Sequence, residues 1–528
     1  MRQWMVAAKK ADFYAIAEKF HVDPVVARII RNREVIGEKN IRIYLGGNLS
    51  DLSDPHQMKD MDRLVEILAQ KIRKQVHIRI IGDYDVDGVT SSHLFLTALR
   101  RVGAKVDVVI PHRIQDGYGL SLHLLQQAKE DGVDTILTCD NGIAAIDEIA
   151  WAKAQKMTVL VTDHHAVPFE EHEGRRTEKK SLADAVVNPH QQDCGYPYKE
   201  LCGAGVAWNV IRVLYENYDM DKREAEDLLD FVAMATVCDV MSLTGENRIL
   251  VKEGLKRIRH TKNIGLQALM QACNVQPENI SAYHFGYVLG PCVNATGRLD
   301  TARHALRLFE TGQETEAEEI ARDLVDLNQE RKELTLQGVE MAKKLCEEGG
   351  YENDPVLVLF LPDVHESIAG LIAGRIREMY NRPVFVLTRG EEGVKGSGRS
   401  TENYSMYENM CGCAELFTKF GGHPMAAGLS LPEENVEKFR RKINENCPLT
   451  VEEVCPDIHI DMAMPVGYAS TELVHQFALL EPFGKDNPSP LFADRNLSIS
   501  RMWVIGKNRN VLRMSVLSEY GQPGPGIF

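Results

Sequence analysis

The segment Gly82-Asp83-Tyr84-Asp85-Val86-Asp87-Gly88 places three carboxylates within five residues, directly after the apolar run His77-Ile78-Arg79-Ile80-Ile81. The β-branched run predicts a short buried strand, and Gly88 lets the chain turn into the next helix. Residues at period two in an extended segment face one side, so the three carboxylates would repel one another unless cations lay between them. The segment therefore predicts a cation site at the end of a strand.

Two other interpretations of this segment are less favoured. An Asx-rich turn that caps the helix predicted to start at Val89 is an alternative, although one aspartate would suffice for a cap. The segment also matches the start of a calcium loop, but that loop needs a glutamate six positions after its glycine, where this chain has Leu94. The flanking segments are also a strand and a helix, which excludes the calcium loop.

Strand-like and helix-like segments alternate regularly after residue 61. Strands are predicted at 77–81, 106–110, 135–138, 158–161 and 185–187. Helices are predicted at 62–70, 89–102, 121–130 and 144–155, and further apolar helices at 203–217, 224–237, 247–260 and 281–288. This alternation is typical of a parallel, doubly wound α/β sheet.

Three further clusters carry metal-binding side chains. Cys139-Asp140-Asn141-Gly142 and Asp163-His164-His165 follow predicted strands, and Cys238-Asp239 ends an apolar, helix-like stretch. Because the carboxyl ends of parallel strands converge on one crevice, we expect these side chains to meet there. Asp140 is placed to bridge two ions, and one of the two adjacent histidines is expected to bind metal while the other reaches a substrate phosphate.

The donor set indicates both the metal and the chemistry. An excess of carboxylates fits Mn²⁺ or Mg²⁺ better than Zn²⁺. Two such ions about 4 Å apart activate a water and hold the phosphoryl oxygens, which suits phosphoester or phosphoanhydride hydrolysis. The sequence contains no Walker A motif and no nucleophile elbow.

Length and charge limit the class of protein. The 528 residues predict several domains, and the net charge of −15 argues against a simple basic nucleic-acid-binding module. Eleven scattered cysteines give no disulfide framework. There is no apolar run long enough for a membrane span and no signal-peptide pattern at the N-terminus, so a cytoplasmic location is expected.

The second half of the chain predicts a linker and two further domains. Residues 311–348 lack proline and carry an apolar stripe at heptad-like steps, which favours one long intramolecular helix over a dimeric coiled coil. A second α/β unit follows at 356–387, and the tail from 455 alternates as β-strands do. Expected phosphate-binding groups, which sit in glycine-rich segments, are Arg298, Ser397, Arg399, Gly422 and His423.

The motifs together resemble the DHH phosphoesterase superfamily, in particular its branch of single-stranded-DNA-specific exonucleases. The resemblance covers residues 45–515 and is specific as a combination. It rests on Asp83-Tyr84-Asp85-Val86-Asp87-Gly88, Asp140-Asn141-Gly142, Asp163-His164-His165, Gly421-Gly422-His423-Pro424, Gly117-Tyr118-Gly119-Leu120, Gly290-Pro291-Cys292-Val293-Asn294-Ala295-Thr296-Gly297-Arg298 and Leu480-Glu481-Pro482-Phe483-Gly484.

The resemblance implies a domain order and a set of site residues. The expected order is an N-terminal wrapper (1–60), a parallel-sheet DHH catalytic domain (61–305), a linker helix (306–350), a DHH-associated α/β substrate-binding domain (351–450) and a partial β-barrel of the OB type (451–528). The implied metal ligands are Asp83, Asp85, Asp87, Asp140, His164 and Asp239, the implied catalytic residues are His165, Asp140 and Asp163, and the implied phosphate contacts are His165, Arg298, Ser397, Arg399, Gly422 and His423.

The implied activity is 5′→3′ removal of nucleotides from single-stranded DNA with two Mn²⁺ or Mg²⁺ ions, in recombination and repair. The expected partners are single-stranded DNA, a single-strand-binding protein and a helicase, with no membrane. Two alternatives stay open: a related phosphodiesterase for short oligonucleotides, cyclic dinucleotides or pyrophosphate, and an inactive DNA-binding partner.

Two departures from the family pattern stand out. Cys292 occupies a position where many members carry a basic residue, so one phosphate contact is expected to be missing. An OB barrel needs five strands, and we expect residues 455–528 to supply only three or four of them.

Overall fold

The computed structural model describes residues 3–113, 116–117, 119–172, 175–351, 354–390, 393–449, 457–506, 509–518 and 523–527. The chain forms two compact units. The larger unit combines Val6–Val325 with Ile460–Phe528, and the smaller combines Met1–Met5 with Asp326–His459. None of the helices described has both the length and the apolar composition needed to cross a membrane.

A five-stranded parallel sheet forms the centre of the larger unit. Its strands, in spatial order, are Val106–Val109, Ile78–Ile81, Thr135–Cys139, Thr158–Thr162 and Ala185–Val187. The predicted parallel sheet is therefore confirmed. Ile81 lies opposite Thr138, and Cys139 lies opposite Thr162, so the carboxyl ends of these strands reach the same edge of the sheet.

Both faces of this sheet are buried, as expected of parallel strands with continuous apolar sequences. Leu137 and Leu160 pack into a large core with helices on one face, whereas Ile136 and Val159 pack into a separate apolar cluster on the other. The helices of this unit before residue 326 are Phe13–Phe20, Pro24–Asn32, Glu38–Gly46, Met61–Arg73, Val86–Arg101, Leu122–Glu130, Ile146–Ala154, Gly203–Asn217, Lys222–Glu226, Leu229–Cys238, Gly245–Ile258, Ile264–Ala272, Ala282–His284, Gly290–Leu299 and Ala302–Glu310. A hairpin joins Phe169–His172 to Arg175–Glu178.

Two helix predictions in this unit need correction. The helix expected at 224–237 is two helices, Lys222–Glu226 and Leu229–Cys238. The helix expected from Val89 begins at Val86, because the Asp85 side chain accepts a hydrogen bond from the Gly88 amide and caps it there.

One uninterrupted helix of 35 residues, Glu314–Glu348, confirms the long helix predicted from the apolar stripe. At about 1.5 Å per residue it is roughly 52 Å long. The helix begins in the larger unit and continues in the smaller one, whose first residue in this stretch is Asp326.

The smaller unit contains a mixed five-stranded sheet. Its spatial order is Lys419–His423, Ala426–Leu431, Gly393–Arg399, Val384–Gly390 and Leu357–Phe360, and only the last two strands are parallel. Its further helices are Ala369–Tyr380, Met406–Cys411 and Val436–Glu445. A short pair of strands joins Gln3–Val6 to Asp457–Ile460.

The glycine-rich segment of this unit is a central strand. Strand Gly393–Arg399 pairs on both sides, so its backbone groups bond within the sheet. Close packing accounts for two of its glycines. A Cβ at Gly396 would lie 2.4 Å from the Leu387 side chain, and one at Gly398 would lie 2.3 Å from the Met406 sulfur.

The C-terminal part of the larger unit is rich in β-structure. Ser498–Ile505, Val511–Leu517 and Pro523–Ile527 form an antiparallel sheet, and Met462–Ala463 pairs with Phe492–Ala493 near helix Thr471–Phe477. The strands described here do not close into a barrel, in agreement with the expected partial barrel.

Candidate metal centre

The carboxyl edge of the parallel sheet delivers the acidic side chains to one place. Asp83 follows strand Ile78–Ile81, and Asp140 follows strand Thr135–Cys139 directly. Asp83 and Asp140 are 1% and 2% exposed. Asp140 also adopts a φ of 61°, a strained left-handed conformation that is uncommon for residues with a side chain and is often found at functional sites.

The aspartate-rich segment does not have the extended geometry expected from its spacing. Asp85 is the N-cap of helix Val86–Arg101, and Asp87 lies in its first turn. The capping interpretation therefore holds for Asp85. Gly88 is required here because a Cβ would lie 2.5 Å from the Asp83 amide nitrogen. The close approach of a helix start to a strand end, rather than the alternation of a strand, brings the three carboxylates together.

The N-terminus of a second helix holds Asp87. The amides of Gly203 and Ala204 donate to its two carboxylate oxygens at 2.6 and 2.8 Å. A helix N-terminus favours an anion because its amides point outward and its dipole is positive there. Gly203 also makes room for Asp140, since a Cβ at Gly203 would lie 2.6 Å from the Asp140 Cβ.

His164 lies at the centre of the acidic cluster. Its Nε2 is 3.0 Å from Asp140 Oδ1, 3.6 Å from Asp239 Oδ2 and 3.7 Å from Asp87 Oδ2. Three groups have ligand atoms within 4.8 Å of one another, namely Asp83-Asp85-Asp140, Asp87-His164-Asp239 and Asp140-His164-His165. Asp140 belongs to two of these groups, the arrangement expected of a bridging ligand.

The electrostatics of the cluster favour bound cations. Burial, followed by repulsion from the neighbouring carboxylates, raises the pKa of Asp83, Asp85, Asp140 and Asp239. Divalent ions would offset both effects, because they replace the lost solvation and neutralise the mutual repulsion.

Two buried atoms also fit a metal. Among the residues that the structure describes, Asp83 Oδ1 and His164 Nε2 are buried without a hydrogen-bond partner. An unpaired polar atom at that depth is costly unless it binds an ion. Oxygen ligands with one imidazole are the donor set that Mn²⁺ and Mg²⁺ accept, so the residues present fit these metals.

Asp163 makes different contacts from the other aspartates. Its carboxylate accepts hydrogen bonds from the amides of Ile143, His164 and His165 and bonds the His165 ring at 2.8 Å. Burial opposes the charge on Asp163, but these bonds outweigh it and lower the pKa of its carboxyl group.

His165 is correspondingly cationic. Burial disfavours the charged ring, yet the bond to Asp163 outweighs it and raises the pKa of His165 to about 9. Asn188 donates to the His165 carbonyl at 2.9 Å, which fixes the backbone beside the ring. The pair therefore presents a positively charged imidazole beside the acidic cluster.

The helix Gly290–Leu299 brings Arg298 to the same region. Asn294 accepts a hydrogen bond from the Val86 amide at 3.1 Å. Gly297 packs so closely that a Cβ would lie 2.4 Å from the Tyr84 carbonyl oxygen. Cys292, the departure from the family pattern, is 2% exposed.

The other four residues expected to bind phosphate belong to the smaller unit. Arg399 and His423 both pair with Ala426, from opposite sides of strand Ala426–Leu431, so they lie on one row of the sheet. Ser397 lies opposite Gly428 and Gly422 opposite Ala427. The structure thus gathers the expected metal ligands in the larger unit and these four groups in the smaller one.

Sequence reasoning missed Gly203 and Asn294 as parts of the site. For Gly203 a signal existed, because Cys202-Gly203-Ala204-Gly205 precedes a long apolar helix, and a glycine-rich helix start is a common anion site. For Asn294 no local signal existed, since its contact joins residues 208 positions apart.

Comparisons with known protein families agree with this geometry. The model of the DHH family, N-terminal domain, matches residues 77–236, the DHHA1 domain matches 353–447, and the RecJ OB domain matches 460–527. The chain is 33% identical to the single-stranded-DNA-specific exonuclease RecJ of Bacillus subtilis over 512 residues, which is 96% of this chain and 63% of that protein. It is 34% identical to the Haemophilus influenzae protein of the same name, covering 94% of this chain and 88% of that protein.

A solved structure shares this fold. The crystal structure of RecJ in complex with Mn²⁺ from Thermus thermophilus superposes with a TM-score of 0.81 at 26% identity, covering 99% of this chain and 78% of that one. The RecJ structure with Mg²⁺ from the same organism gives a TM-score of 0.76 at 25% identity, covering 99% of this chain and 77% of that one.

Proposed function

Because the chain belongs to the RecJ family of DHH phosphoesterases, we propose that it is a metal-dependent exonuclease that removes nucleotides from the 5′ end of single-stranded DNA. The observation that carries the proposal is the cluster of five carboxylates and His164, whose mutual repulsion bound cations would relieve. We assign the protein to recombination and repair, in the cytoplasm.

The contacts support one assignment of the metal ligands. Asp83 and Asp85 would hold one ion, Asp87, His164 and Asp239 would hold the second, and we assign Asp140 as a ligand of both. Bound there, the ions would lower the pKa of a coordinated water and neutralise charge on the phosphate. The helix start at Gly203 fixes the Asp87 carboxylate, so the ligand set is positioned before any ion arrives.

His165 acts on the substrate, and Asp163 acts through it. The charged imidazole contacts the scissile phosphate and donates a hydrogen bond to one of its oxygens. Asp163 already accepts four hydrogen bonds, so it is a positioning residue that keeps the His165 ring oriented and protonated. This role is narrower than the catalytic one expected from the sequence.

The remaining basic groups hold the strand. Arg298 contacts a phosphate next to the metal centre, and Ser397, Arg399, Gly422 and His423 contact phosphates from the smaller unit. We also propose that the chain divides into domains at residues 1–60, 61–305, 306–350, 351–450 and 451–528. A single-strand-binding protein and a helicase are the proposed partners, since one presents single strands and the other creates them.

The test uses one oligonucleotide labelled at its 5′ or at its 3′ end, as a single strand and as a duplex, with Mn²⁺ or with chelator. We expect release of 5′-labelled mononucleotides from the single strand in Mn²⁺ alone. Release of 3′ label first, or equal attack on the duplex, would contradict the polarity or the strand preference. Hydrolysis confined to di- and trinucleotides would favour the small-substrate alternative.

Asp140→Ala is the decisive variant. It is expected to abolish hydrolysis because both ions lose a ligand, while single-strand binding persists. Asp147→Ala, which removes an exposed carboxylate from the start of helix Ile146–Ala154, is the matched control and is expected to stay active. Wild-type activity in Asp140→Ala would rule out the bridging role, and a wild type inactive with Mn²⁺ would favour the inactive binding partner.

A further inference from the structure

A pocket of about 850 Å³ opens beside Asp239 within the larger unit. Cys238 and Val240, the sequence neighbours of Asp239, both line it. Val240 has a φ of 55° although it is β-branched, and it is 61% exposed. Strain of this kind persists where the surrounding structure fixes the backbone, often at a functional site.

Two tyrosines form an exposed aromatic surface in this pocket. The rings of Tyr283 and Tyr287 stack at 5.1 Å with an interplanar angle of 24°. They are 62% and 71% exposed, although large aromatic side chains are usually buried. Tyr287 lies on a single π-helical turn, Phe285–Leu289, and such turns are frequent at functional sites.

The pocket is locally basic in a chain whose net charge is −15. Its charged lining residues are Lys252, Lys256, Arg259, Lys485 and Glu481. Lys256 pairs with Glu253, whereas Arg259 and Lys485 have no ion pair among the residues described. The basic excess would attract a polyanion.

Lys485 lines the same pocket as Cys238 and Val240, the residues on either side of Asp239. The basic wall of the pocket is therefore adjacent to a proposed metal ligand.

We propose that this pocket binds one nucleotide of the single strand, with its base stacked on the Tyr283–Tyr287 pair and its phosphates facing Arg259 and Lys485. Stacking tolerates any base, as a sequence-independent exonuclease requires. The inference rests on the proposed function and adds the side chains that hold the base. Other aromatic side chains of the chain, such as Phe285 and Tyr404, are 0% and 1% exposed and are unable to stack on a base.

The experiment uses 5′-phosphorylated single strands with 2-aminopurine at one position, moved stepwise along the strand, in chelator so that no hydrolysis occurs. Stacking quenches 2-aminopurine, so wild-type protein is expected to quench one or two adjacent positions. Tyr283→Ala and Tyr287→Ala are expected to remove that quenching and to raise Kd about 5- to 160-fold, the range of base–aromatic stacking. Tyr287→Phe keeps the aromatic ring and is expected to retain the quenching and the wild-type Kd.

Tyr14→Ala is the matched control, because Tyr14 is 78% exposed on the helix Phe13–Phe20, and it is expected to bind as the wild type does. Lys485→Gln is expected to lower the slope of log Kd against log salt by about one, as loss of one phosphate contact does. An unchanged slope would remove Lys485 from the phosphate contacts.

The outcomes separate the inference from the function. If the wild-type protein binds and degrades the strand, and both alanine variants give the wild-type quenching of 2-aminopurine and the wild-type Kd, the pocket does not hold the base. If wild-type protein neither binds nor degrades single strands, the proposed function itself fails. A free 2-aminopurine deoxynucleotide monophosphate tests whether the pocket holds the released product instead of the strand. Saturable quenching of its fluorescence by the wild-type protein would show that the pocket binds the product.

Discussion

Adding one methyl group at Gly203 should weaken metal binding without replacing a ligand. In Gly203→Ala the new Cβ would lie 2.6 Å from the Asp140 Cβ and 2.8 Å from its Oδ1. Carbon atoms pack at about 3.5–4.0 Å, so one side must move by roughly 1 Å. Either Asp140 is displaced, or the helix start withdraws and lengthens the amide bonds to Asp87 at 2.6 and 2.8 Å.

Both responses weaken the same site. Loss of a partner that orients a metal ligand typically lowers metal affinity about 10- to 100-fold, which corresponds to about 1.4–2.7 kcal/mol. We expect this loss for Mn²⁺ binding to Gly203→Ala, measured by isothermal titration calorimetry. Hydrolysis of single strands at a fixed low Mn²⁺ concentration should fall by a similar factor and recover partly at high Mn²⁺.

Gly205→Ala provides the matched control two residues further along the same helix. Its Cβ would meet the Leu201 side chain at 3.4 Å, an ordinary contact, and alanine favours the helix by up to about 1 kcal/mol. Its Mn²⁺ affinity should equal that of the wild type. Wild-type Mn²⁺ affinity in Gly203→Ala, or an equal loss of Mn²⁺ affinity in Gly203→Ala and Gly205→Ala, would show that the close approach of Gly203 to Asp140 does not control metal binding.

Three other predictions follow from the contacts described. Asp163→Asn should lower kcat about 10²-fold and leave Mn²⁺ affinity within a few fold, because the His165 ring loses the negative charge that keeps it protonated while the ligands stay; equal losses in both, by kinetics and calorimetry, would make Asp163 a ligand. Burial raises the pKa of Asp230 from its ordinary 3.8 to about 6, so the free energy of unfolding should fall by roughly 3 kcal/mol as the pH rises through the range between these two values. Asp230→Asn should flatten that part of a pH profile of stability measured with denaturant. Parallel profiles for the variant and the wild type would contradict this prediction. Mn²⁺ at 100 times its Kd should stabilise the wild type by about 2.7 kcal/mol for each ion bound, measured by calorimetric unfolding, and Asp140→Ala, shown by its spectrum to be folded, should gain much less.

The sheet, and the strand-end side chains that the structure brings together, could be predicted because their signals are local. Each strand of the parallel sheet is a short β-branched run, and Asp140 and His164 follow such runs within two residues. Parallel strands place their carboxyl ends together, so the side chains at the strand ends are predicted to line one crevice. The 35-residue helix was predictable for the same reason, since its periodicity is continuous.

The local geometry of the aspartate segment was not predictable from its alternation. Carboxylates at every second residue fit a strand, but Asp85 stabilises the chain as the N-cap of helix Val86–Arg101. There its side chain accepts a hydrogen bond from the Gly88 amide. The contacts of Asp87 with Gly203 and of Val86 with Asn294 join residues more than 100 positions apart. Only the packing of the helices decides such pairs, and no local pattern encodes them.

The central claim is that a pair of divalent cations lies among the carboxylates and imidazole of Asp83, Asp85, Asp87, Asp140, His164 and Asp239. Anomalous diffraction at the manganese edge from a crystal soaked in Mn²⁺ tests it most directly. The account predicts two anomalous peaks about 3.5–4 Å apart, both within bonding distance of Asp140. A single peak away from Asp140, or no peak at a soak concentration that supports hydrolysis, would contradict it.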